Sequence, residues 1–537
     1  MRRSERLTLA AILMLGAAPR FWGLTFGLPH PEARPDETIV VITAVGMLYA
    51  GFNPHFYFWP PLVFYVVAAI YRVGWEIGHL RGFYQLKFDM FKDAALHVSP
   101  YIMVPRVLSL GAGVTTIWLV FKLADRLFDR LTALTAAFFV AMAFVHIRDS
   151  HFGVTDVAMT AMVVVSLLAL CRTLEDPTRI QRWALTGVLC GLTAATKYNG
   201  GIVLAAGLAT AAVAMADSPS DKRRQILLGS AALVIATFVT FLCATPYIVL
   251  DWPHYSEGLQ FDFSVLDKGH GMALDRGWVH HLRFSLWYGL GGPLLLAGAA
   301  GIPFLVASSW RKAIVVCTFP LLYFLTVGRG HSVFVRYIVP VVPFLCITAA
   351  FILTWTVRRF ASAATAPKVV ALAAIAISIP SIVRSAAFDY LVSRTDTRVL
   401  AQEWIAANVG PQEQVGQIPP VLIYPDFGIP KPANLATFDV NQKAFISGTG
   451  TTVVPDWIVV PISPLRVYTI APEDIGTIAN RDYTRALTIA ATHGPEPAEW
   501  FDQQDLFFMP FSTFTMRDRP GPEIQIFRRR PAADGHP

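Results

Sequence analysis

The sequence predicts an all-α polytopic membrane protein that carries a small α+β domain at its C-terminal end. Of the 537 residues, 54% are apolar and only 15% are charged, and the mean hydropathy is +0.49. Soluble domains usually contain about 25% charged residues, so a soluble protein of this length would lack the charges to cover its surface. This composition excludes a wholly soluble enzyme, a nucleic-acid-binding protein and a disordered scaffold.

The apolar segments predict eleven membrane spans, because a helix needs about 20 apolar residues to cross a bilayer. The predicted spans are 7–27, 101–121, 131–148, 153–171, 183–197, 200–216, 225–246, 284–307, 312–328, 334–356 and 368–388. Segment 60–80 is predicted to lie in the membrane interface and not to span the bilayer. Its uninterrupted apolar run ends after about ten residues at Arg72, which is typical of an interfacial helix. The N-terminal segment, in which basic MRRSER precedes the apolar LTLAAILMLGAA, could pass for a signal peptide but is expected to be an uncleaved first helix.

The distribution of cations predicts the orientation. If 60–80 lies in the interface, five cation clusters fall together on the cytoplasmic side, as the positive-inside rule requires. The clusters are Lys122/Arg126/Arg130, Arg172/Arg179/Arg182, Lys222/Arg223/Arg224, Arg311/Lys312 and Arg358/Arg359/Lys368. We therefore expect a multi-pass protein of the inner or plasma membrane, with its N-terminus in the cytoplasm and its C-terminus outside. The net charge of +7 is attributed to these clusters and not to a nucleic-acid partner.

This topology divides the chain into a transmembrane domain, 1–389, and an external α+β domain, 390–537. The first external loop is 28–100, with amphipathic pieces near 37–50 and 60–80. In the external domain DWIVVPI, VYTI and IQIF read as strands, and DTRVLAQEWIAANV reads as an amphipathic helix. The external domain shows no catalytic constellation, so we expect it to shape acceptor choice.

Two acidic positions are candidates for chemistry. Asp36 and Glu37 lie in the first external loop, at the start of a predicted helix, and Asp156 lies where the third span ends and the fourth begins. Acids at helix starts are often caps, and they can equally be general bases held at the membrane surface. The residue pattern leaves both interpretations open. A dense polar group, His146, Arg148, Asp149 and His151, precedes Asp156.

Cations at external span ends form the second set of candidates. Lys197 lies in AATKYNGG, and His331 and Arg336 lie in GRGHSVFVRYIVPVVPF, where the positive-inside rule gives no reason for them. A lone cation of this kind can snorkel to lipid headgroups, whereas several cations near carboxylates indicate a phosphate site. For the four histidines of the 247–283 loop (His254, His270, His280 and His281) polar contacts are expected in place of a metal. The five cysteines, all in apolar stretches, predict neither a disulfide framework nor a zinc site.

Over roughly residues 1–390 the chain resembles GT-C membrane glycosyltransferases, in the branch of protein O-mannosyltransferases and bacterial aminoarabinose (lipid A) transferases. The motifs are PDE in the first external loop, NPHFYFWPPLVFY, Asp156, ATKYNG and RYIVPVVPF. The resemblance implies transfer of a sugar, with inversion, from a polyprenyl-phosphate donor to a hydroxyl of a glycan, lipid or protein outside the membrane. Membrane lipids are the other expected partners, and neither a cofactor nor a metal is required.

The resemblance also implies residue roles. Asp36 is similar to the catalytic base, with Glu37 beside it and Asp156 as the second acid. Lys197 matches the lysine that meets the donor phosphate, with Arg336, His331 and Tyr198 near it, and His55, Trp59 and Tyr337 are expected to line the substrate groove.

One departure concerns the acceptor. Aminoarabinose transferases have a Glu-Lys pair before two prolines, whereas Phe58 and Trp59 stand here, which disfavours an acidic acceptor such as lipid A. The alternatives are a secondary transporter, which would place charges near the bilayer midplane, and a non-catalytic lipid-binding subunit.

Overall fold

The computed structural model describes residues 2–417, 434–462, 465 and 473–531. Contacts divide the chain into two compact units. The helical unit comprises Met1–Trp22, Val40–Phe91 and Met103–Ala386, and the sheet unit comprises Gly23–Ile39, Lys92–Ile102 and Ala387–Pro537. Two pieces of the first predicted loop thus belong with the C-terminal residues. The predicted boundary at 389–390 stays a prediction.

Helices dominate the described residues. They are α1 (Arg3–Phe21), α2 (Pro35–Ala50), α3 (Leu62–Leu80), α4 (Lys87–Leu96), α5 (Val98–Leu127), α6 (Arg130–Met142), α7 (Phe144–Asp149), α8 (Thr155–Glu175), α9 (Ile180–Thr196), α10 (Val203–Asp217), α11 (Ser220–Ala244), α12 (Tyr247–Leu250), α13 (Trp252–Lys268), α14 (Gly277–His280), α15 (Trp287–Leu290), α16 (Gly292–Val327), α17 (Val342–Phe360), α18 (Ala366–Val392), α19 (Thr397–Asn408) and α20 (Glu473–Asp482). Short 3-10 segments precede α2, α10 and α17, at Pro31–Ala33, Tyr198–Ile202 and Val335–Val341.

Within the described ranges, seven helical stretches are long and apolar enough to cross a membrane. They are Val98–Leu127, Thr155–Glu175, Tyr198–Asp217, Ser220–Ala244, Gly292–Val327, Val335–Phe360 and Ala366–Asn408. Helices α1, α3 and α9 are not among them, so the interfacial position of 60–80 stays a prediction. The 36-residue α16 covers two predicted spans and is interrupted at Ser309, whose φ is −161° and ψ 75°. The multi-pass α-helical class is confirmed, and the count of eleven spans stays a prediction.

Two predicted spans differ in detail from the helices. Helix α1 ends at Phe21, well before the predicted end at 27, because Gly23 and Gly27 adopt φ of +83° and +69°, which a right-handed helix does not allow. The predicted span 131–148 is two helices, because Ala143 is extended between α6 and α7.

Contacts at one end of the helical unit join the N-terminal segment and all five predicted cytoplasmic gaps. The pairs are Arg130–Glu5 (3.7 Å), Arg126–Glu175 (2.6 Å), Arg358–Asp129 (2.7 Å), Arg311–Asp217 (2.7 Å) and Lys312 over the Phe128 ring (5.2 Å). Segments predicted to share one side of the membrane therefore meet in space. This agreement supports the sidedness on which the site prediction depends.

A small-residue motif fixes the helix that leads into the site. Gly187 and Gly191 of α9 are spaced as GxxxG, and a methyl group on either would lie 2.3 Å from the Leu233 carbonyl or 2.5 Å from that of Thr237 on α11. Glycine at these positions lets the two backbones approach closely, as is common between membrane helices. Helix α9 therefore packs closely on α11 at Gly187 and Gly191.

The sheet unit contains a mixed sheet whose described strands are β1 (Val415–Gln417), β2 (Leu435–Asp439), β3 (Ala444–Ser447), β4 (Thr452–Val453), β5 (Trp457–Ile462), β6 (Tyr483–Ile489) and β7 (Glu523–Arg529). Their order is β4-β3-β2-β1-β5-β7-β6, with β1 parallel to β2 and β5 and the other pairs antiparallel. The strands expected from DWIVVPI and IQIF are confirmed as β5 and β7, and the amphipathic helix as α19. The VYTI segment lies outside the described residues.

Candidate active site

Lys197 lies at a break between two helices. Its backbone is extended, with φ −157° and ψ 132°, between the end of α9 and the 3-10 segment Tyr198–Ile202 that leads into α10. Gly200 and Gly201 follow, and a methyl group on Gly200 would lie 2.8 Å from the Thr193 carbonyl. The break places the lysine side chain beside the start of α8.

There Lys197 forms an ion pair with Asp156. The distance from Lys197 Nζ to Asp156 Oδ1 is 2.6 Å, and the side chains are 12% and 2% exposed. No side-chain hydrogen bond caps the start of α8, whose N-cap residue is Val154, so the Asp156 carboxylate binds the lysine and is not a helix cap. An ammonium has three N–H donors, and only the one to Asp156 is used among the described residues. The two others are available to an anion.

A second cation shares an aromatic ring with the first. Lys197 Nζ lies 5.0 Å from the centroid of the Tyr337 ring, and the Arg336 guanidinium carbon lies 5.8 Å from the same centroid. Arg336 is also stacked 4.0 Å from the Phe334 ring. Both aromatic contacts favour a charged, oriented cation. The structure thus brings together four predicted residues, Asp156, Lys197, Arg336 and Tyr337.

His331 has a different position in this region. Its Nδ1 lies 2.7 Å from the Leu274 carbonyl, and its backbone N–H donates to the Leu266 carbonyl at 2.8 Å. These contacts hold the chain that follows α13. They make His331 an anchor of this loop, and its predicted contact with phosphate stays a prediction.

The structure adds an acid that sequence reasoning missed. Asp262 of α13 is partly buried and interacts electrostatically with Lys197, and burial raises the pKa of its carboxyl group to about 7 although Lys197 opposes this. The sequence contained a signal, since Asp262 lies between two phenylalanines, Phe261 and Phe263. Asp262 is therefore partly protonated near neutral pH, beside the cation pair.

The segment that follows α2 is held against the same region. The Tyr198 hydroxyl donates to the Tyr57 carbonyl at 3.1 Å, and the hydroxyl of Tyr57 donates to Asp251 at 2.7 Å. Asn53 also donates to Asp251, at 2.9 Å. Hydrogen bonds from Tyr57, Asn53 and His254 hold the pKa of Asp251 well below its ordinary value, so this carboxylate is a fixed acceptor.

Two residues predicted to line the substrate groove, His55 and Trp59, lie in this segment. His55 is exposed and has a φ of +50°. Trp59 is half-buried and packs on Phe56 and Phe64, with ring centroids 5.4 and 6.1 Å apart. Their role as groove residues stays a prediction.

A cavity of about 890 Å³ lies beside this segment. It is lined mostly by apolar residues of 47–52, 62–72 and 243–250, with Arg72 and Lys87 also in its wall. The hydroxyl of Tyr65, another wall residue, is buried and has no hydrogen-bond partner among the described residues. Leu250 lines the cavity, and Asp251, the next residue, is linked through Tyr57 to Tyr198, the neighbour of Lys197.

The polar group before Asp156 is structural. Arg20 of α1 donates to His146 Nδ1 at 2.9 Å, and His151 Nε2 lies 2.9 Å from the Trp22 carbonyl. Arg148 and Asp149 pair with one another at 3.1 Å. All are buried, so this group fixes the end of α1 on α7 and does not line the candidate site.

The sheet unit carries the other predicted acids. Glu37 is fully buried, whereas the Asp36 side chain is 22% exposed. Arg34 Nη2 lies 3.6 Å from Asp36 Oδ2. Of the two neighbours, Asp36 is the one that a substrate hydroxyl can reach.

Glu32 is a further acid beside Asp36. The pKa of Glu32 is raised to about 7, chiefly by burial; Arg398 opposes the rise, and the neighbouring charge of Asp36 adds to it. A carboxyl group that is half neutral near pH 7 next to an accessible carboxylate is typical of sites that handle protons. The sequence gives no period or motif that singles out Glu32.

In the described residues, no group of three or more His, Cys, Asp or Glu side chains is arranged to hold a metal ion. His281 Nδ1 lies 3.0 Å from Ser285 Oγ, and His254 Nδ1 lies 2.6 Å from Asp251. These histidines therefore make local polar contacts.

Comparisons with known proteins agree with the fold. Residues 101–244 match the family described as dolichyl-phosphate-mannose-protein mannosyltransferase. ArnT from Cupriavidus metallidurans bound to undecaprenyl phosphate has a TM-score of 0.54 at 13% identity, over 99% of this chain and 98% of that one. AglB from Archaeoglobus fulgidus, an archaeal oligosaccharyltransferase in complex with an inhibitory peptide and a dolichol-phosphate, has a TM-score of 0.52 at 11% identity, over 98% and 88%. No curated protein matches the chain.

These similarities confirm the predicted GT-C fold over nearly the whole chain. The matched family also agrees with the predicted class of enzyme, a glycosyltransferase that uses a lipid-linked donor. The roles of the individual site residues stay predictions.

Proposed function

We propose that this protein transfers a sugar from a polyprenyl-phosphate donor to a hydroxyl acceptor on the external face of a cell membrane, with inversion at the anomeric carbon. One observation carries the proposal. Within a GT-C fold, the buried Lys197 stands at a helix break, is oriented by Asp156, and keeps N–H groups for an anion. The N-terminus is cytoplasmic and the C-terminal domain external in this proposal.

Lys197 and Arg336 are the proposed ligands of the donor phosphate. The phosphate of a sugar phosphodiester gains negative charge as the sugar–oxygen bond breaks. Cations held in place before the reaction stabilise this change more in the transition state than in the ground state. The ion pair with Asp156 and the ring of Tyr337 supply that pre-organisation.

The apolar cavity is the proposed site of the isoprenoid chain. Its volume of about 890 Å³ and its mostly apolar wall suit several isoprene units. Asp251, which follows the wall residue Leu250, accepts a hydrogen bond from Tyr57, and the Tyr57 carbonyl accepts one from Tyr198. Tyr198 is the residue next to Lys197. A donor whose lipid enters this cavity would bring its phosphate toward the two cations.

Asp36 is the proposed general base. It would accept the proton of the acceptor hydroxyl while that oxygen forms a bond to the anomeric carbon and the phosphate leaves with its bonding electrons. Its exposure and its position at the start of α2 support this role over that of the buried Glu37. A neutral acceptor is favoured, because Phe58 and Trp59 replace the charged pair of aminoarabinose transferases.

The test uses the purified full-length protein in lipid nanodiscs with a panel of synthetic polyprenyl-phosphate sugars. We expect one donor to be consumed, with release of polyprenyl phosphate and a product of inverted anomeric configuration by NMR. Asp36→Asn protein serves as the matched control for non-enzymatic loss. Sugar movement across the bilayer of proteoliposomes without donor cleavage would contradict the proposal and favour a transporter.

A further inference from the structure

We propose that Asp505, near the C-terminal end of the chain, is a positioning residue for Asp36 and acts through Arg34. The inference rests on the proposed function, since it concerns the group assigned there as general base. All residues involved belong to the sheet unit. On this proposal, a residue of the C-terminal domain helps to position the general base. The sequence analysis expected that domain to affect only the selection of the acceptor.

Arg34 is shared by two carboxylates. Its Nη1 donates to Asp505 Oδ1, and its Nη2 lies 3.6 Å from Asp36 Oδ2. Arg34 and Asp505 are 1% and 3% exposed, whereas Asp36 reaches the surface. The buried carboxylate therefore takes the direct hydrogen bond, and the accessible one is held at the longer distance.

The surroundings of Arg34 keep this arrangement in place. Its guanidinium lies 5.9 Å from the centre of the Phe507 ring, and Phe507 packs edge-on against Phe26 at 5.7 Å. Residues 501–512, which include Asp505, are all buried although they form neither helix nor strand. Irregular segments usually lie on the protein surface, so a fully buried one is held in place by specific contacts.

A second contact holds the loop just before Arg34. Arg398 Nη1 donates to the Glu32 carbonyl at 3.1 Å, while Arg398 Nη2 pairs with Asp396 at 2.7 Å and both side chains are buried. Asp396 also caps α19 by accepting from the Arg398 N–H at 2.9 Å. Backbone and side chain of the loop are thus each held by a residue from beyond position 390.

The physical consequence concerns the charge of Arg34. With Asp505 present, two carboxylates share the guanidinium, and Asp36 is held at the longer distance of 3.6 Å. Without Asp505, the buried guanidinium loses a hydrogen-bonded carboxylate, and Asp36 lies only 3.6 Å away. A closer Arg34–Asp36 pair would turn the carboxylate away from the acceptor, and misplacement of a base by about 1 Å can reduce the rate by about 100-fold.

Asp505→Asn tests the inference. We expect kcat for donor turnover to fall about 10- to 100-fold while KM for the donor stays unchanged, because Lys197 and Arg336 are untouched. Glu496→Gln is the matched control, since Glu496 forms an equally buried pair with Arg517 at 2.6 Å in the same unit. It should reduce thermal stability to a similar degree but leave kcat unchanged. Equal loss of kcat in both variants would reduce Asp505 to a structural residue and overturn the inference.

A double variant covers the case in which Asp505→Asn fails to fold. Arg34→Gln with Asp505→Asn removes both charges, which leaves no buried ion without a partner. Folded double-variant protein with near-normal kcat would support action through Arg34, because no guanidinium is left to draw Asp36 away, and a low kcat at unchanged donor KM would contradict it.

The Asp36→Asn background separates this inference from the proposed function. If Asp36 is the base, Asp36→Asn alone abolishes most turnover, and adding Asp505→Asn changes nothing further. If Asp36→Asn protein stays active, the assignment of the base fails. If Asp36→Asn is inactive but Asp505→Asn is fully active, only the positioning role fails.

Discussion

Two clusters, one in each compact unit, use a paired carboxylate and cation in opposite ways. In the helical unit, a buried carboxylate, Asp156, holds the cation Lys197 at 2.6 Å and leaves its other N–H groups available. In the sheet unit, a buried cation, Arg34, lies 3.6 Å from the accessible carboxylate Asp36 while Asp505 binds it directly. The group that is presented to substrate differs, and the buried partner only orients it. One part is suited to an anion that is charged throughout the reaction, and the other to a proton that moves during it.

The largest expected effect tests the carboxylate part. Asp36→Asn keeps the shape of the side chain and its ability to cap α2, because Asn caps about as well as Asp, but it removes the base. We expect kcat to fall by roughly 10²–10⁴, with nearly normal donor binding in a filter-binding assay. Near-normal transfer by the folded variant would make Asp36 a helix cap and move the search for the base to Glu37 or Asp156.

The next effect tests the cation part. Lys197→Met should weaken donor binding and turnover together, about 10- to 100-fold, because the phosphate is charged before and during the reaction. The substitution also leaves Asp156 buried without its cation, so Lys197→Met/Asp156→Asn is needed to remove that charge. Donor affinity should stay low in the double variant. Recovery there would show that the stranded carboxylate, and not a lost phosphate contact, caused the defect.

A control from the opposite end of the helical unit sharpens the same experiment. Arg311 pairs with Asp217 at 2.7 Å, but both side chains are substantially exposed, and surface pairs contribute little. Arg311→Ala should therefore leave donor affinity unchanged. A loss equal to that of Lys197→Met would point to a general effect of removing a cation.

The smallest expected effect is a pH dependence of donor binding. Burial is the main cause that raises the pKa of Asp262 to about 7. Asp262 interacts with Lys197, which is paired with Asp156 and lies near Arg336. As the pH rises from 6 to 8, Asp262 loses its proton and offsets the lysine charge. The donor KM should therefore rise several-fold over this range, and Asp262→Asn should flatten the profile. An unchanged profile in that variant would assign the titration to another group.

The sequence predicted the helical class, the external helix α19 and strands β5 and β7, because long apolar runs and alternating patterns carry strong periodic signals. It also predicted Lys197 and Asp156 as parts of one site. It did not predict how they act, since an ion pair between residues 41 positions apart depends on how α9 and α8 pack. The extension of the first span to residue 27 failed because local glycine conformations override apolar character.

Asp505 and Glu32 could not be found from the sequence for a related reason. Neither residue lies in a long helix or strand with a periodic sequence pattern. The proposed role of each depends on a neighbour that tertiary folding brings close. For Asp505 that neighbour is 471 residues away along the chain. Asp262 is different, because its position between two phenylalanines was visible and could have been weighed.

The order of the sheet has a consequence for the timing of synthesis. Strand β7 is the last strand of the described chain, yet it lies between β5 and β6 in the interior of the sheet. The sheet is therefore incomplete until residue 529 has been made, and Asp505 has no finished scaffold before then. On the proposed mechanism, a chain still on the ribosome carries Asp36 but has not yet restrained Arg34. Donor turnover by chains that end before Asp505 should therefore be about 10- to 100-fold lower than turnover by the full chain.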